Sequence, residues 1–281
     1  IRAFYNAGYD YATVLGSDFK FQSGDINKIK TKSLNDGCLI KDEESYKKYE
    51  WPDPDSYDYS GLYALEHYLP GNMKLIVWGN GGVLENVITL VGYDNLCYMI
   101  VENPGLAEKI FEEVGSRFVR YYEICSRFNA VGALISNDDW GFASQTLLSP
   151  EDLRKYVFPW HKKIVEAIHK SGKPAILHSC GNLSEVMEDI IEDMCYDAKH
   201  SFEDKIMPVE EAYLKWGNRI AILGGIDLDF LCRASADEII NRAAKLLKMT
   251  AERGGYALGS GNSIPDYVPD EKFLAMISVA K

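Results

Sequence analysis

The sequence predicts an α/β protein of the (β/α)8 TIM-barrel class. Short β-rich runs alternate with longer helical segments through most of its 281 residues. Those runs are almost continuously apolar, as strands covered on both faces of a parallel sheet must be. Chemically capable side chains gather just after the runs, where a parallel barrel builds its active site. An open doubly wound sheet is the competing arrangement.

The strand candidates, in order, are YATVLG (11–16), KLIVWG (74–79), ALISND (133–138), AILHSC (175–180), YDAKHS (196–201), IAILGG (220–225) and GYALGS (255–260). An eighth would lie upstream of Ile1, where the chain opens without a methionine. Helix-start chemistry fills the gaps between them. Asn103 followed by Pro104 reads as an N-cap and first helical residue, and Ser149 with Pro150 repeats the pattern. Ser235 with Glu238 forms a capping box ahead of an amphipathic run closed by Gly254. Residues 19–60 break the alternation; they are polar and turn-rich and read as a long insertion in a single domain spanning 1–281.

Composition excludes some functions. A net charge of -12 disfavours nucleic acid and anionic membrane surfaces, which would repel the chain. No apolar run reaches the roughly 18 residues of a membrane span, and the first residues do not read as a signal peptide. Six scattered cysteines without a CxxC fit reduced thiols and a cytoplasmic location.

The strand ends supply the candidate site. Asp18 follows the first run, Asn80 the second, and Asp138 and Asp139 the third. His178 and Cys180 end the fourth, His200 and Glu203 follow the fifth, Asp227 the sixth, and Ser260 and Asn262 the seventh. Residues two apart on a strand share a face, so His178 and Cys180 point one way while Ala175, Leu177 and Ser179 point the other. Imidazole and thiol together suit zinc or another thiophilic metal, but zinc needs about four ligands and the motif supplies two. A hydrogen-bonded histidine beside a buried thiol is the structural alternative.

Other residues carry weaker signals. Asp139 is a candidate base or ligand, and adjacent Asp138 should diverge from it. GGID and GSGN are turns where barrels often bind phosphate on backbone N–H groups. Lys199 is read as a solvated lysine rather than a Schiff-base former, His161 and His169 as surface residues, and His67 as unremarkable. Trp78, Trp140, Phe142 and Tyr267 sit near strand ends and could line an apolar pocket, with the core as their default destination.

NDDWG, LLSPEDLRKYVFPWHKKI, ILHSCGNL, ILGGIDLDFL and GGYALGSGNSIPDYVPDE together resemble the uroporphyrinogen decarboxylase (URO-D) superfamily, over residues 70–281 and more loosely the start. The resemblance implies a (β/α)8 barrel, often paired as a homodimer. One branch decarboxylates a tetrapyrrole without metal. Its aspartate is matched by Asp18, while its tyrosine has no match and its LGHG histidine is replaced by Ser260. The other branch transfers methyl groups between a corrinoid, supplied by a partner protein, and a thiol such as coenzyme M. Its His-x-Cys zinc ligands are matched by His178 and Cys180, and its later cysteine falls at Asn262, so a carboxylate such as Asp139, Glu203 or Asp227 would have to substitute.

The expectation is therefore zinc-dependent methyl transfer. Asp139, Asp18 and Glu203 are the catalytic candidates. Asn80, Trp140, Asp227, Ser260, Asn262 and Tyr267 are the candidates for binding a small-molecule substrate, and His178 and Cys180 the metal ligands. The alternatives are uroporphyrinogen decarboxylation, a non-catalytic corrinoid- or partner-binding barrel and, more distantly, a phosphate-binding aldolase.

Overall fold

All seven expected strands form: β1 (Tyr11–Leu15), β2 (Lys74–Trp78), β3 (Val131–Asn137), β4 (Ala175–His178), β5 (Ala198–His200), β6 (Ala221–Leu223) and β7 (Tyr256–Ala257). The structure, a computed structural model, describes residues 1–24 and 33–280, so residues 25–32 of the polar insertion lie outside it. The α/β alternation and parallel pairing follow the expectation; no eighth strand is found among the described residues. No helix among them is long and apolar enough to cross a membrane. The chain divides into two compact units, one of residues 11–139 and 148–175, the other of 1–10, 140–147 and 176–281.

In the first unit β1, β2 and β3 pair in parallel, with Leu15 level with Trp78 and Trp78 level with Ile135. The helix Pro104–Cys125 starts where Asn103 Oδ1 accepts the Leu106 N–H at 3.3 Å. Its buried residues Ile110, Phe111, Val114, Phe118, Tyr121, Tyr122 and Cys125 recur at helical spacing and form one apolar stripe. Tyr121 ties the helix to the sheet: its hydroxyl donates to the Trp78 carbonyl at 2.6 Å and accepts from the Gly16 N–H at 2.9 Å. The described part of the insertion is less polar in its packing than its composition suggested. Phe19 packs edge-on and Phe21 at a tilt against Phe118, each at 5.8 Å between ring centroids. Asp42 and Ser45 cap the short helix Glu43–Lys48.

The segment after Ser149 is one expected helix but three pieces. Pro150–Asp152 leads into a π-helical turn, Leu153–Val157, and then the helix Phe158–His169. Pro159 cannot donate a backbone hydrogen bond, which accounts for the break in the regular ladder. The break also corrects one expectation. His161 is not a surface residue; it has no exposure and faces the end of β3. His169 and His67 are exposed, as expected.

In the second unit β4, β5, β6 and β7 pair in parallel, and His178 on β4 lies level with His200 on β5. The capping box of Ser235 and Glu238 opens the helix Ala236–Thr250. Arg242 on that helix forks onto Asp204 at 2.6 Å and Glu210 at 2.9 Å, fixing the loop after β5. The helix Leu228–Arg233 was not anticipated, and Asp227 caps it.

Candidate functional site

The second unit builds a thiol–imidazole site at the ends of β4 and β5. Ala175, Leu177 and Ser179 are wholly buried, so the alternate positions turn the other way. Cys180 Sγ lies 3.7 Å from Nε2 of His178. Nδ1 of His178 lies 2.7 Å from Nδ1 of His200, and Nε2 of His200 lies 3.0 Å from the Ser260 carbonyl oxygen. Burial first, then the neighbouring His178, lowers the pKa of His200 to about 4. The Asn262 side-chain N–H donates to Cys180 Sγ at 3.3 Å, and Ser201 Oγ lies 3.7 Å from the same sulfur.

Two glycines make this corner possible. Gly181 has φ 88°, and a Cβ there would lie 2.2 Å from the Gly141 carbonyl carbon. The close approach lets Asn182 N–H reach the Phe142 carbonyl at 2.7 Å and Trp140 N–H reach Ser179 Oγ at 3.1 Å. The small hairpin of residues 140–147 is thereby fastened to the turn that follows Cys180.

The thiol and the imidazole have the chemistry and spacing of two zinc ligands. Tetrahedral zinc with a sulfur at about 2.3 Å and a nitrogen at about 2.0–2.1 Å separates the two donors by about 3.5 Å. The observed 3.7 Å between Cys180 Sγ and His178 Nε2 needs almost no movement.

Several expected site residues have other employment. Both oxygens of Asp227 accept backbone N–H groups, from Asp229 at 2.8 Å, Phe230 at 3.1 Å and Asp204 at 3.0 Å. Glu203 lines a small cleft with Lys199, Phe202, Met207 and Trp216, a lining that includes neither His178 nor Cys180. Lys199 is 3% exposed rather than solvated; its ammonium donates to the Ser201 carbonyl at 2.8 Å and lies over the Phe202 ring. The GGID and GSGN turns spend their N–H groups on each other, Gly225 on Ser260, Ile226 on Gly259 and Gly261 on Ile226. They are not the open phosphate cradle that barrels often place there. Tyr267 is 70% exposed, and Trp140 is completely buried in the core.

The first unit holds an acidic cluster after β3. Asp138 is buried, with its carboxylate accepting the N–H groups of Leu84 and Glu85, each at 2.9 Å, and facing Nε2 of His161. It thus caps the helix Val83–Val91, whose N-cap, Gly82, has no side chain to offer. A Cβ on Gly82 would stand 2.2 Å from that of Asp138, which explains the glycine. Glu85 accepts from Gly82 N–H at 2.9 Å and from the Asp139 backbone. Burial, then Asp138 and Asp139, raise its carboxyl to about 8. Asn80 donates to the Phe19 carbonyl at 2.9 Å, a structural tie, and Asp18 is exposed beside it in sequence.

His200 and Glu203 share one strand end in the sequence, but the pairing of His200 with His178 appears only in the structure. The signal was present: AILH and DAKH are neighbouring strands that both end on histidine.

These features define an α/β protein with a thiol–imidazole site at the carboxyl ends of parallel strands. A sequence profile of the Uroporphyrinogen decarboxylase (URO-D) family matches residues 11–281. The chain belongs to that family. It is 26% identical over 186 residues to a uroporphyrinogen decarboxylase of Anaeromyxobacter dehalogenans, covering 66% of this chain and 51% of the relative. It is 23% identical over 177 residues to a methylated-thiol–coenzyme M methyltransferase of Methanosarcina mazei, covering 63% of this chain and 46% of the relative. The match thus spans about half the length of these two curated relatives. Among solved structures, a methyltransferase from Methanosarcina mazei shares the fold with TM-score 0.70 and 15% identity, covering 99% of this chain and 82% of that one.

Proposed function

We propose that the protein is a zinc-dependent methyl-transfer enzyme, moving a methyl group between a corrinoid carried by a partner protein and a thiol or related acceptor. The observation that carries this reading is the separation of Cys180 Sγ from His178 Nε2, 3.7 Å, the span of two donors on one tetrahedral metal. A methyltransferase among the curated relatives is consistent with it.

In this reading Cys180 and His178 hold the metal, and a carboxylate takes the place of the cysteine that Asn262 replaces. Bound zinc would supply a Lewis acid that keeps an acceptor thiol ionised at neutral pH. The chain's own residues prepare that site. Asn262 directs an N–H at the Cys180 sulfur. Its amide is held in that orientation because Oδ1 accepts the Ser263 N–H at 2.8 Å. Ser179, between the two, ties the backbone there to the hairpin by accepting the Trp140 N–H on its hydroxyl.

The test is methyl transfer from a methylated corrinoid to a small thiol, with and without a zinc chelator, in the wild type and in His178→Ala. Zinc-restored transfer that His178→Ala abolishes is expected; transfer unaffected by either treatment would refute the reading. Uroporphyrinogen decarboxylation is the second reading, favoured by the relative from Anaeromyxobacter dehalogenans. Release of carbon dioxide from uroporphyrinogen in the presence of chelator would establish that second reading instead.

A further inference from the structure

We propose that His200 is a positioning residue that sets the tautomer of His178 and so presents Nε2 of His178, as a lone pair, to the Cys180 side of the site. The proposal deepens the metal reading and rests on it for its purpose, though its geometry stands on hydrogen bonding alone.

The chain of hydrogen bonds starts at Ser260. A carbonyl oxygen only accepts, so Nε2 of His200, 3.0 Å from it, carries the hydrogen. A neutral imidazole has one N–H, so Nδ1 of His200 is left as an acceptor. It faces Nδ1 of His178 at 2.7 Å, which must therefore carry its own hydrogen and donate. In the neutral His178 ring the nitrogen then left as a lone pair is Nε2, the atom 3.7 Å from Cys180 Sγ. One carbonyl thus orders two rings, as second-shell partners of metal-bound histidines commonly do.

The fold is built around this chain of bonds. Parallel pairing places His178 and His200 at the same level of neighbouring strands, with their rings 4.9 Å apart. Gly224 has φ 71°, and a Cβ there would lie 2.8 Å from the His200 ring and 2.3 Å from the Ser260 carbonyl oxygen. Only a glycine lets ring and carbonyl meet. The Ser260 carbonyl also accepts from Gly225 at 3.1 Å, and its hydroxyl donates to the Asn262 carbonyl at 2.6 Å. The turn that anchors the outer end of the relay therefore also carries the amide that addresses the Cys180 sulfur.

The experiment is a two-bond nitrogen–proton correlation spectrum of metal-free protein labelled with 15N-histidine, followed by zinc titration of the same samples. In the wild type, His178 should be protonated at Nδ1 and His200 at Nε2. His200→Phe keeps a ring but removes both nitrogens; it should release His178 from that tautomer and weaken zinc binding by about 10–100-fold. His200→Gln can accept from His178 and donate to Ser260, and should restore most of the affinity. A wild-type His178 protonated at Nε2 would overturn the proposal, as would unchanged tautomer and affinity in His200→Phe. A wild type with the expected tautomer but no zinc binding would uphold the relay and count only against the metal reading. The wild-type spectrum decides the point even if His200→Phe does not fold.

Discussion

The carboxylate of Asp138 meets Nε2 of His161 at 2.9 Å, and neither side chain reaches solvent. Nδ1 of His161 in turn lies 3.2 Å from Ser136 Oγ. With two helix N–H groups on the same carboxylate, Asp138 is fully committed to structure. The adjacent Asp139 belongs to the same acidic turn but points elsewhere, since neighbouring residues at a strand end diverge. One pair of identical letters therefore divides into a scaffold residue and a candidate for chemistry.

Asp138→Ala is expected to destabilise the protein by about 3 kcal/mol, because it strands two helix N–H groups and the His161 N–H in a dry interior. Chemical denaturation measures it. A loss below about 1 kcal/mol would show that water or another group replaces the carboxylate.

Glu85 gives stability an unusual pH dependence. Its folded-state pKa, near 8, lies above the ordinary 4.5, so the folded state holds a proton that the unfolded state has released. Its contribution is fully present below about pH 4.5 and is lost as pH rises through about 8, at up to about 1.4 kcal/mol per pH unit. Glu85→Gln should flatten this slope relative to wild type. Parallel stability profiles for the two proteins across pH 5–8 would contradict the assignment.

His200 contributes with the opposite sign. Its folded pKa, near 4, is depressed below 6.5, so its contribution is present above about pH 6.5 and is lost as pH falls through about 4. His200→Gln should lose less stability than the wild type over that interval, as read by thermal melting from pH 7 to 4.

Gly181→Ala should cost at least about 1–3 kcal/mol from the backbone conformation alone, with the collision against Gly141 added. The expected signature is a lower melting temperature together with greater exposure of Trp140, followed by its fluorescence. An unchanged spectrum would mean that the hairpin does not depend on the close approach.

Asn262→Cys tests the substitution at the ligand position. A thiol there would stand beside Cys180 Sγ, where the Asn262 amide now lies at 3.3 Å, and should strengthen zinc binding by about tenfold or more. Weaker binding in that variant would argue that the amide itself is needed.

Much of this was legible from the sequence, for identifiable reasons. Apolar runs located all seven strands, since hydrophobic burial is a local signal. Asn103, Ser149 and Ser235 marked their helices because capping is decided within four residues. The two-residue period brought His178 and Cys180 to one face. What the sequence hid depends on partners distant along the chain. His161 reads as a helical surface residue until Asp138 is brought to it, and Lys199 as solvated until the Ser179 and Ser201 carbonyls surround it. Asp227 looks like a site carboxylate because an N-cap and a ligand share the same residue type. The His178–His200 pair required the register of β4 against β5.

The most direct measurement is competition for zinc between the metal-free protein and a chromophoric chelator, performed on the wild type and on Cys180→Ser. The wild type should take up one zinc per chain, and Cys180→Ser should bind it at least about tenfold more weakly while remaining folded. Failure of the wild type to take zinc from the chelator, or equal uptake by both proteins, would contradict a metal held between the thiol and the imidazole.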